Sequence, residues 1–489
     1  MNRNLDRRSF VRRSSAAAAA LAVPPSLVGL VSACTGRDAA GGMVLRNARP
    51  AVAGPGEGGY GPLEADTGEV ILPAGFQARA FGRVGDPMAD GNPTPIAHDG
   101  MAAFAWEDGR VRLVRNHEDA NPAGFGPALA TVAYDRLAGG GTTTLELTAD
   151  RELVSDWVSL AGTAVNCAGG PTPWGSWLSC EETVVGASEG FERTHGWIFE
   201  VPVAAAGPVP AVPLTAMGRF QHEAIAVDPR TGIVYETEDN DFRSGERGRP
   251  GSGFYRFLPD EPGRLAAGGR LQIATVAGEF SLQLFRGTQA GMGIGSTFPI
   301  VWRDLDFVDP DPEDRLPLEL RRGALFEHGL AKGAAVFRRL EGCWYGDGRI
   351  FFHDTSGGAA SLGHVWEYEP AAAEGRGGAD DRGTLRLLFE SPGAEVLDQP
   401  DNLTISPRGG LVLCEDGADR QYMRGLTREG AIFDFALNNL NATEFAGATF
   451  SPDGRTLFCN IQGSTRGSVA DAQPGVTLAI WGDWERGAL

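Results

Sequence analysis

Basic charge is scarce in this chain of 489 residues: 43 Lys and Arg stand against 63 Asp and Glu, a net charge of −20. So acidic a chain lacks the basic patches that neutralise phosphate, which excludes nucleic acid and anionic membrane as partners. The partners such a charge suggests are cations. Most of the acids belong to a solvated surface, so their positions must carry any argument about a site. Cysteine is scarce as well, with six residues and no metal-finger spacing: Cys167 and Cys180 lie 13 apart, and Cys343, Cys414 and Cys459 are isolated. Zinc ribbons and thioredoxin-like redox motifs are thereby set aside. Long apolar runs are missing too. The stretch from Ala16 to Val31 is short and interrupted by Pro24 and Pro25, so it does not serve as a permanent membrane span.

What the N-terminus does contain is an address. Arg7-Arg8-Ser9-Phe10-Val11 followed by that apolar stretch reads as a twin-arginine export signal over residues 1–34, a route that carries proteins already folded. Val31-Ser32-Ala33-Cys34 resembles a lipobox, so cleavage either leaves Cys34 as a lipid anchor or falls nearby as an ordinary signal cut. The expected location is periplasmic, secreted or lipid-anchored to the envelope, with membrane contact only through Cys34. Removing Cys34 leaves an odd number of cysteines, so at least one thiol stays unpaired. Residues 35–64, rich in Gly, Pro and Ala, read as a flexible tether ahead of a single folded region at 65–489.

Helical periodicity is also sparse. With 69 Gly and 31 Pro, the chain runs instead in short stretches of Val, Ile, Leu, Phe and Tyr bounded by turn residues, which predicts an all-β fold. A weak repeat sharpens this: a turn ending in Gly, a strand, then an acid or amide. It occurs as DGRVRLVRNHE (108–118), WGSWLSCEE (174–182), TGIVYETED (231–239), DGRIFFHDT (347–355), RGGLVLCED (408–416) and DGRTLFCNI (453–461). Its glycines, Gly109, Gly175, Gly232, Gly348, Gly409 and Gly454, are 66, 57, 116, 61 and 45 residues apart. Each interval is long enough for a four-stranded blade, so a six-bladed β-propeller with inserted loops is expected, or seven blades if the long third interval conceals one.

Six or seven positions after each glycine stand Asn116, Glu181/Glu182, Glu238/Asp239, Asp354, Glu415/Asp416 and Asn460. Matching positions of a propeller surround one axis, so these oxygen ligands converge on the channel mouth in the manner of a metal site. Asp, Asn and Glu also end strands at turns for local reasons, which accounts for any one copy better than for six. The densest segment, Asn166 to Thr183, packs Cys167, Gly169-Gly170, two Trp and two adjacent Glu into 18 residues. Gly169-Gly170 permits unusual backbone angles and places Cys167 on a tight loop; a lone cysteine is otherwise most often buried and inert.

The run NC-x-GG-x-TPWG-x-W-x-x-CEE resembles the signature of the PhoX-type alkaline phosphatases. Segments 220–239, 337–358, 399–417 and 444–463 resemble the same family in the same order. The resemblance implies a six-bladed propeller carrying two irons and three calciums, with Ca2+ and Fe3+ as cofactors and the irons touched by a cysteine thiolate. It implies that Cys167 is this thiolate, that Glu182, Glu223 and Glu341 are carboxylate ligands, and that Arg339 binds substrate phosphate, Arg339 and Cys167 being the catalytic pair. By motif position it places Asp239, Asp354, Asp401 and Glu415 in the calcium shell. Residue chemistry agrees: calcium takes six to eight hard oxygens, whereas a thiolate suits iron. Crowded carboxylates stay ionised only when cations offset their repulsion.

The expected activity is metal-dependent hydrolysis of small phosphomonoesters by a monomer. A calcium propeller lactonase or esterase, and a non-catalytic calcium-stabilised binding propeller, are the alternatives; neither needs Cys167 or Arg339. Among weaker signals, Gly186-Ala-Ser-Glu-Gly190 matches a nucleophile elbow but lies in a polar loop instead of a strand–helix turn. His222 is assigned to orienting the neighbouring carboxylate, or to a structural role. The acidic run from Asp304 to Asp314 reads as a solvated loop, with a peripheral calcium as the lesser alternative. The final segment, 460–467, lacks the His-Pro expected of close relatives.

Overall fold

The computed structural model describes residues 59–121, 131–240 and 251–489. The export signal, Cys34 and the tether as far as residue 58 lie outside the described residues. Strands β1 (Leu63–Asp66), β2 (Val70–Pro73) and β3 (Gln77–Phe81) open the fold. Next, β4 (His98–Ala105), β5 (Val111–His117), β6 (Gly140–Leu147) and β7 (Leu153–Thr163) pair in chain order as one antiparallel sheet. A second sheet holds β8 (Asn166–Pro171), β9 (Ser176–Glu181) and β10 (Ile198–Pro202). Then come β11 (His222–Val227), β12 (Val234–Glu238), β13 (Phe254–Pro259), β14 (Gly269–Val276) and β15 (Thr297–Asp304), followed by β16 (Leu340–Gly346), β17 (Arg349–Asp354), β18 (His364–Glu369) and β19 (Gly383–Glu390). These form one sheet of order β11-β12-β13-β14-β15-β19-β18-β17-β16, so β15 bridges two runs of four. The long interval between repeats thus contributes β15 and the short helices α1 (Leu318–Arg321) and α2 (Ala324–Ala331).

Strands β20 (Pro400–Ile405), β21 (Leu411–Glu415), β22 (Tyr422–Leu426) and β23 (Ile432–Asn438) form the next meander, to which β2 and β1 add. The last sheet contains β24 (Phe445–Phe450), β25 (Leu457–Ile461) and β26 (Val476–Trp481), and the N-terminal β3 pairs onto β26 as its fourth strand. Strands from early and late in the chain thereby complete the same sheets. Tyr60 seals the junction: its hydroxyl donates to the Leu489 carbonyl at 2.9 Å, and its ring packs against Phe76, Phe435 and Trp484. Burying each such aromatic is worth roughly 1.5–3 kcal/mol.

The arrangement is propeller-like. Strand β4 lies against β8, β8 against β11, β11 against β16, β16 against β20, β20 against β24, and β24 against β4, a closed ring of inner strands. The six turn glycines, Gly109, Gly175, Gly232, Gly348, Gly409 and Gly454, follow these inner strands and all have φ between 70° and 89°, which explains why the repeat keeps glycine there. At the axis the inner strands leave a cavity of only about 10 Å³. Glycines allow this closeness: a Cβ on Gly100 would stand 2.5 Å from the Ala168 Cα, and one on Gly342 would stand 2.8 Å from the Asp401 carbonyl.

Candidate metal centre

The inner strands begin alike. Five of them shift register immediately after their first residue: His98 pairs with His117, Asn166 with Glu181, His222 with Glu238, Leu340 with Asp354, and Pro400 with Glu415, then the ladder resumes three residues on. The second residue of each strand therefore sits in a bulge, which re-aims its side chain. Those residues are Asp99, Cys167, Glu223, Glu341 and Asp401. Ala97, Val165, Arg339 and Gln399, the residues just before four of the bulged strands, have φ between 50° and 58°, rare for residues with a Cβ and held here by surrounding bonds. The partner strand's next residue donates its N–H back to that entry: Glu118 to Ala97, Glu182 to Val165, Asp239 to Gln221, Thr355 to Arg339, Asp416 to Gln399 and Gln462 to Glu444. These closures bring two rows of side chains to one end of the axis.

Cys167 Sγ donates to Glu223 Oε1 at 3.3 Å, and ligand atoms of Cys167, Glu223 and Asp401 lie within 4.8 Å of one another. A second group, Asp401, Asp416 and Glu444, meets the same condition, so Asp401 belongs to both. Gln462 Nε2 bridges Asp99 Oδ2 and Glu118 Oε2, each at 2.9 Å. Arg339 forks onto Asp239 at 3.0 and 2.8 Å and reaches Glu341 Oε1 at 2.9 Å, its side chain 21% exposed. The arginine thus stands at the mouth with the acids beneath it.

Electrostatics mark this place as built for cations. Burial, then the charges of Glu341, Asp401, Glu182 and Asp99, hold the Glu223 carboxyl well above its usual range. Burial and neighbouring acids raise Glu341, Asp99 and Glu444 in the same direction. Burial, with Asp99, Glu223, Asp401 and Glu182 around it, also pushes the Cys167 thiol up. Glu223 Oε2, Glu341 Oε2 and Glu444 Oε2 are buried without a hydrogen-bond donor. Buried acceptors left this way cost stability unless something positive meets them. Hard oxygens around one thiol fit a mixed set of calcium and a transition metal.

Of the residues expected from the sequence, Cys167, Glu182, Glu223, Asp239, Glu341, Asp401 and Arg339 are brought together, through the contacts above. Asp354 and Glu415 are not. Each is one residue too early: the last residue of β17 or β21 turns toward the scaffold. Asp354 faces His364 Nδ1 at 3.6 Å, and Glu415 takes Arg424 Nε at 2.7 Å and the Asp398 N–H at 3.0 Å. Their successors, Thr355 and Asp416, occupy the mouth row. Asp99, Glu118 and Glu444 are acids of this cluster that the glycine-based count passed over, and Asp416, which the count paired with Glu415, is the one of the two that reaches the mouth; an acid at the second place of an inner strand, as in His98-Asp99-Gly100, is the signal that finds Asp99.

Other expectations resolve structurally. His222 binds the Gly218 carbonyl at 2.9 Å and faces Glu236 at 3.4 Å rather than orienting Glu223. In the nucleophile-elbow segment Glu189 pairs with Arg321. The acidic run is not simply solvated: Asp311 accepts from the backbone of Arg315 and Leu316 and from Arg321, while Asp314 pairs with Arg219 at 2.6 Å. It pins the insertion to the body. All five described cysteines are buried and free.

A ring of antiparallel sheets with a thiol and clustered acids at one end of its axis defines a β-propeller with an axial metal-type centre. The chain belongs to the alkaline phosphatase PhoX family, whose family model matches residues 58–154 and 136–464. Among solved structures it is similar to Pseudomonas fluorescens PhoX in complex with vanadate, a transition state analogue. That likeness has 18% identity and a TM-score of 0.63 and covers 88% of this chain and 98% of that one. A gluconolactonase from Xanthomonas campestris aligns at 13% identity and a TM-score of only 0.39, over 86% of this chain and 100% of that one. No curated protein matches.

Proposed function

We propose that this chain is an exported metal-dependent phosphatase that hydrolyses phosphomonoesters at an iron and calcium cluster. The observation that carries the reading is the Cys167–Glu223–Asp401 group, continued through Asp401 into Asp416 and Glu444, with Arg339 above it. Family membership supports the phosphatase class, and the structurally similar relative was solved in complex with vanadate, a transition state analogue. Cys167, Glu182, Glu223 and Glu341 would hold iron, and Asp239, Asp401, Asp416, Glu444, Asp99 and Glu118 are the oxygen donors for calcium. Bound metals would polarise the phosphoryl oxygens and lower the pKa of the attacking water. Arg339 grips the phosphoryl oxygens in the planar bidentate manner it now shows toward Asp239, and releases that carboxylate as it does so. The buried thiol and acids need cations to ionise, so the cluster and the ring of inner strands stabilise each other.

The closed ring of inner strands supports six blades, with β15 as a bridge and not part of a seventh. Twin-arginine export, a lipid anchor at Cys34 and a monomeric state belong to the same proposal; no helix of the described residues is long and apolar enough to cross a membrane. Neither a lactonase nor a passive binding propeller calls for Cys167 and Arg339 at one mouth. The test is metal analysis together with p-nitrophenyl phosphate hydrolysis, for wild type and Cys167→Ala, with and without chelator. Iron plus calcium in the wild type, and turnover lost in the variant and on chelation, is expected. Calcium without iron and no turnover would overturn the reading.

A further inference from the structure

A bulge leaves carbonyls outside the strand ladder, and a buried carbonyl needs a donor. For three of the bulged residues that donor comes from the preceding repeat. Asn460 Nδ2 donates to the Asp99 carbonyl at 2.7 Å, Asn116 Nδ2 to the Cys167 carbonyl at 3.0 Å, and His353 Nδ1 lies 3.2 Å from the Asp401 carbonyl. A carbonyl only accepts, so His353 carries its proton on Nδ1. All three donors are fully buried, and each stands on the second strand of its repeat, two places before the mouth residue. Asn and His share one geometric feature: both place an N–H on the atom bonded to Cγ.

We propose that Asn116, His353 and Asn460 are positioning residues, each clamping the backbone under a metal ligand contributed by the next repeat. The ligand's aim is then set by its neighbour: Asn460 places Asp99, Asn116 places Cys167, and His353 places Asp401. Asn116 is itself fixed by Trp177 Nε1 and Ser179 Oγ, which both donate to its Oδ1 at 2.8 Å, so the amide cannot turn its oxygen toward the Cys167 carbonyl. Because Asp401 belongs to both ligand groups, the His353 clamp governs the junction between them. The inference rests on the metal-centre reading above.

The test is a pair of substitutions at one position in the full chain, His353→Asn and His353→Leu. Asparagine keeps a donor on the Cγ-bonded atom; leucine fills the space without one. Calcium and iron retained after a fixed EGTA challenge, kcat and KM for p-nitrophenyl phosphate, and the melting temperature of chelated protein are measured for each. The clamp predicts that His353→Asn retains metal and kcat within about threefold of wild type, while His353→Leu loses metal about 10- to 100-fold more readily, with lowered kcat and little change in KM. Equal metal retention in the two variants would overturn the proposal, whether both match wild type or both lose metal alike. Comparable melting of the chelated variants separates positioning from folding, and Asn116→Asp, which removes the Nδ2 donor at similar volume, repeats the test under Cys167. A wild type without bound metal would instead reject the metal-centre reading itself.

Discussion

Consecutive residues at the ends of the second strands face opposite environments. Glu181, Glu238, Asp354 and Glu415 turn to the scaffold, whereas Glu182, Asp239 and Asp416 join the axis. The scaffold row draws most of its partners from the protein, although Glu238 Oε1 and both Asp354 oxygens are buried without a hydrogen-bond donor. Glu181 accepts from His195, Ala164, Gly196 and Trp197, Glu238 from Tyr255 and Gly253, and Glu415 from Arg424 and Asp398. Around the axis, burial and like charge raise Glu223, Glu341 and Glu444, each of which keeps an oxygen with no donor. A carboxylate finished by protein donors serves stability, while one left unfinished among its own kind awaits a cation.

The largest effect should follow removal of an axis acid. Glu223→Gln is expected to lower hydrolysis of p-nitrophenyl phosphate by at least about 100-fold, since losing a ligand outweighs losing its outer partners. In chelated protein the same variant should melt no lower than wild type, because a crowded charge is gone; a marked drop would erase the contrast between the rows. Removal of a scaffold acid should do the reverse. Glu181→Gln breaks a buried charge network and is expected to cost roughly 3–5 kcal/mol in urea unfolding, with or without metal.

A smaller effect is pH dependence. Burial pulls His195 down, but Glu181 and Asp135 outweigh it and lift the ring to about 9. The stabilisation from this charge is complete below the unfolded value near 6.5 and is lost as pH rises through about 9. Unfolding measured from pH 6 to pH 10 should show that decline in the wild type, and His195→Gln should lack its share of it. The smallest change is expected at a turn outside both rows. Gly109→Ala has open space for its Cβ but an unfavourable φ of 75°, so it should cost about 1 kcal/mol and leave turnover unchanged.

Much of this was legible in the sequence for a physical reason. The left-handed turn demands glycine, so the repeats kept a marker that survives where other residues vary. Counting from that marker found the end of each second strand but not which of two neighbours faces the axis. Side chains alternate with period two, and the choice is set by the bulge on the opposite strand, which leaves no spacing signal. Hence Glu182 and Asp239 stand in the axis row, whereas Asp354 and Glu415 stand one residue before it. Glu444 escaped for a related cause: β24 shifts register later, between Ala446 and Thr449, and its acid precedes the strand instead of entering it. The acidic run around Asp311 reads as solvated until Arg219 and Arg321, distant in sequence, are seen to meet it.

The contrast is tested most directly by the metal content of two neighbouring variants, Asp416→Asn and Glu415→Gln, purified in parallel. The account predicts that Asp416→Asn loses calcium and turnover, while Glu415→Gln keeps the wild-type metal complement despite reduced stability. Calcium lost from Glu415→Gln and retained by Asp416→Asn would contradict it.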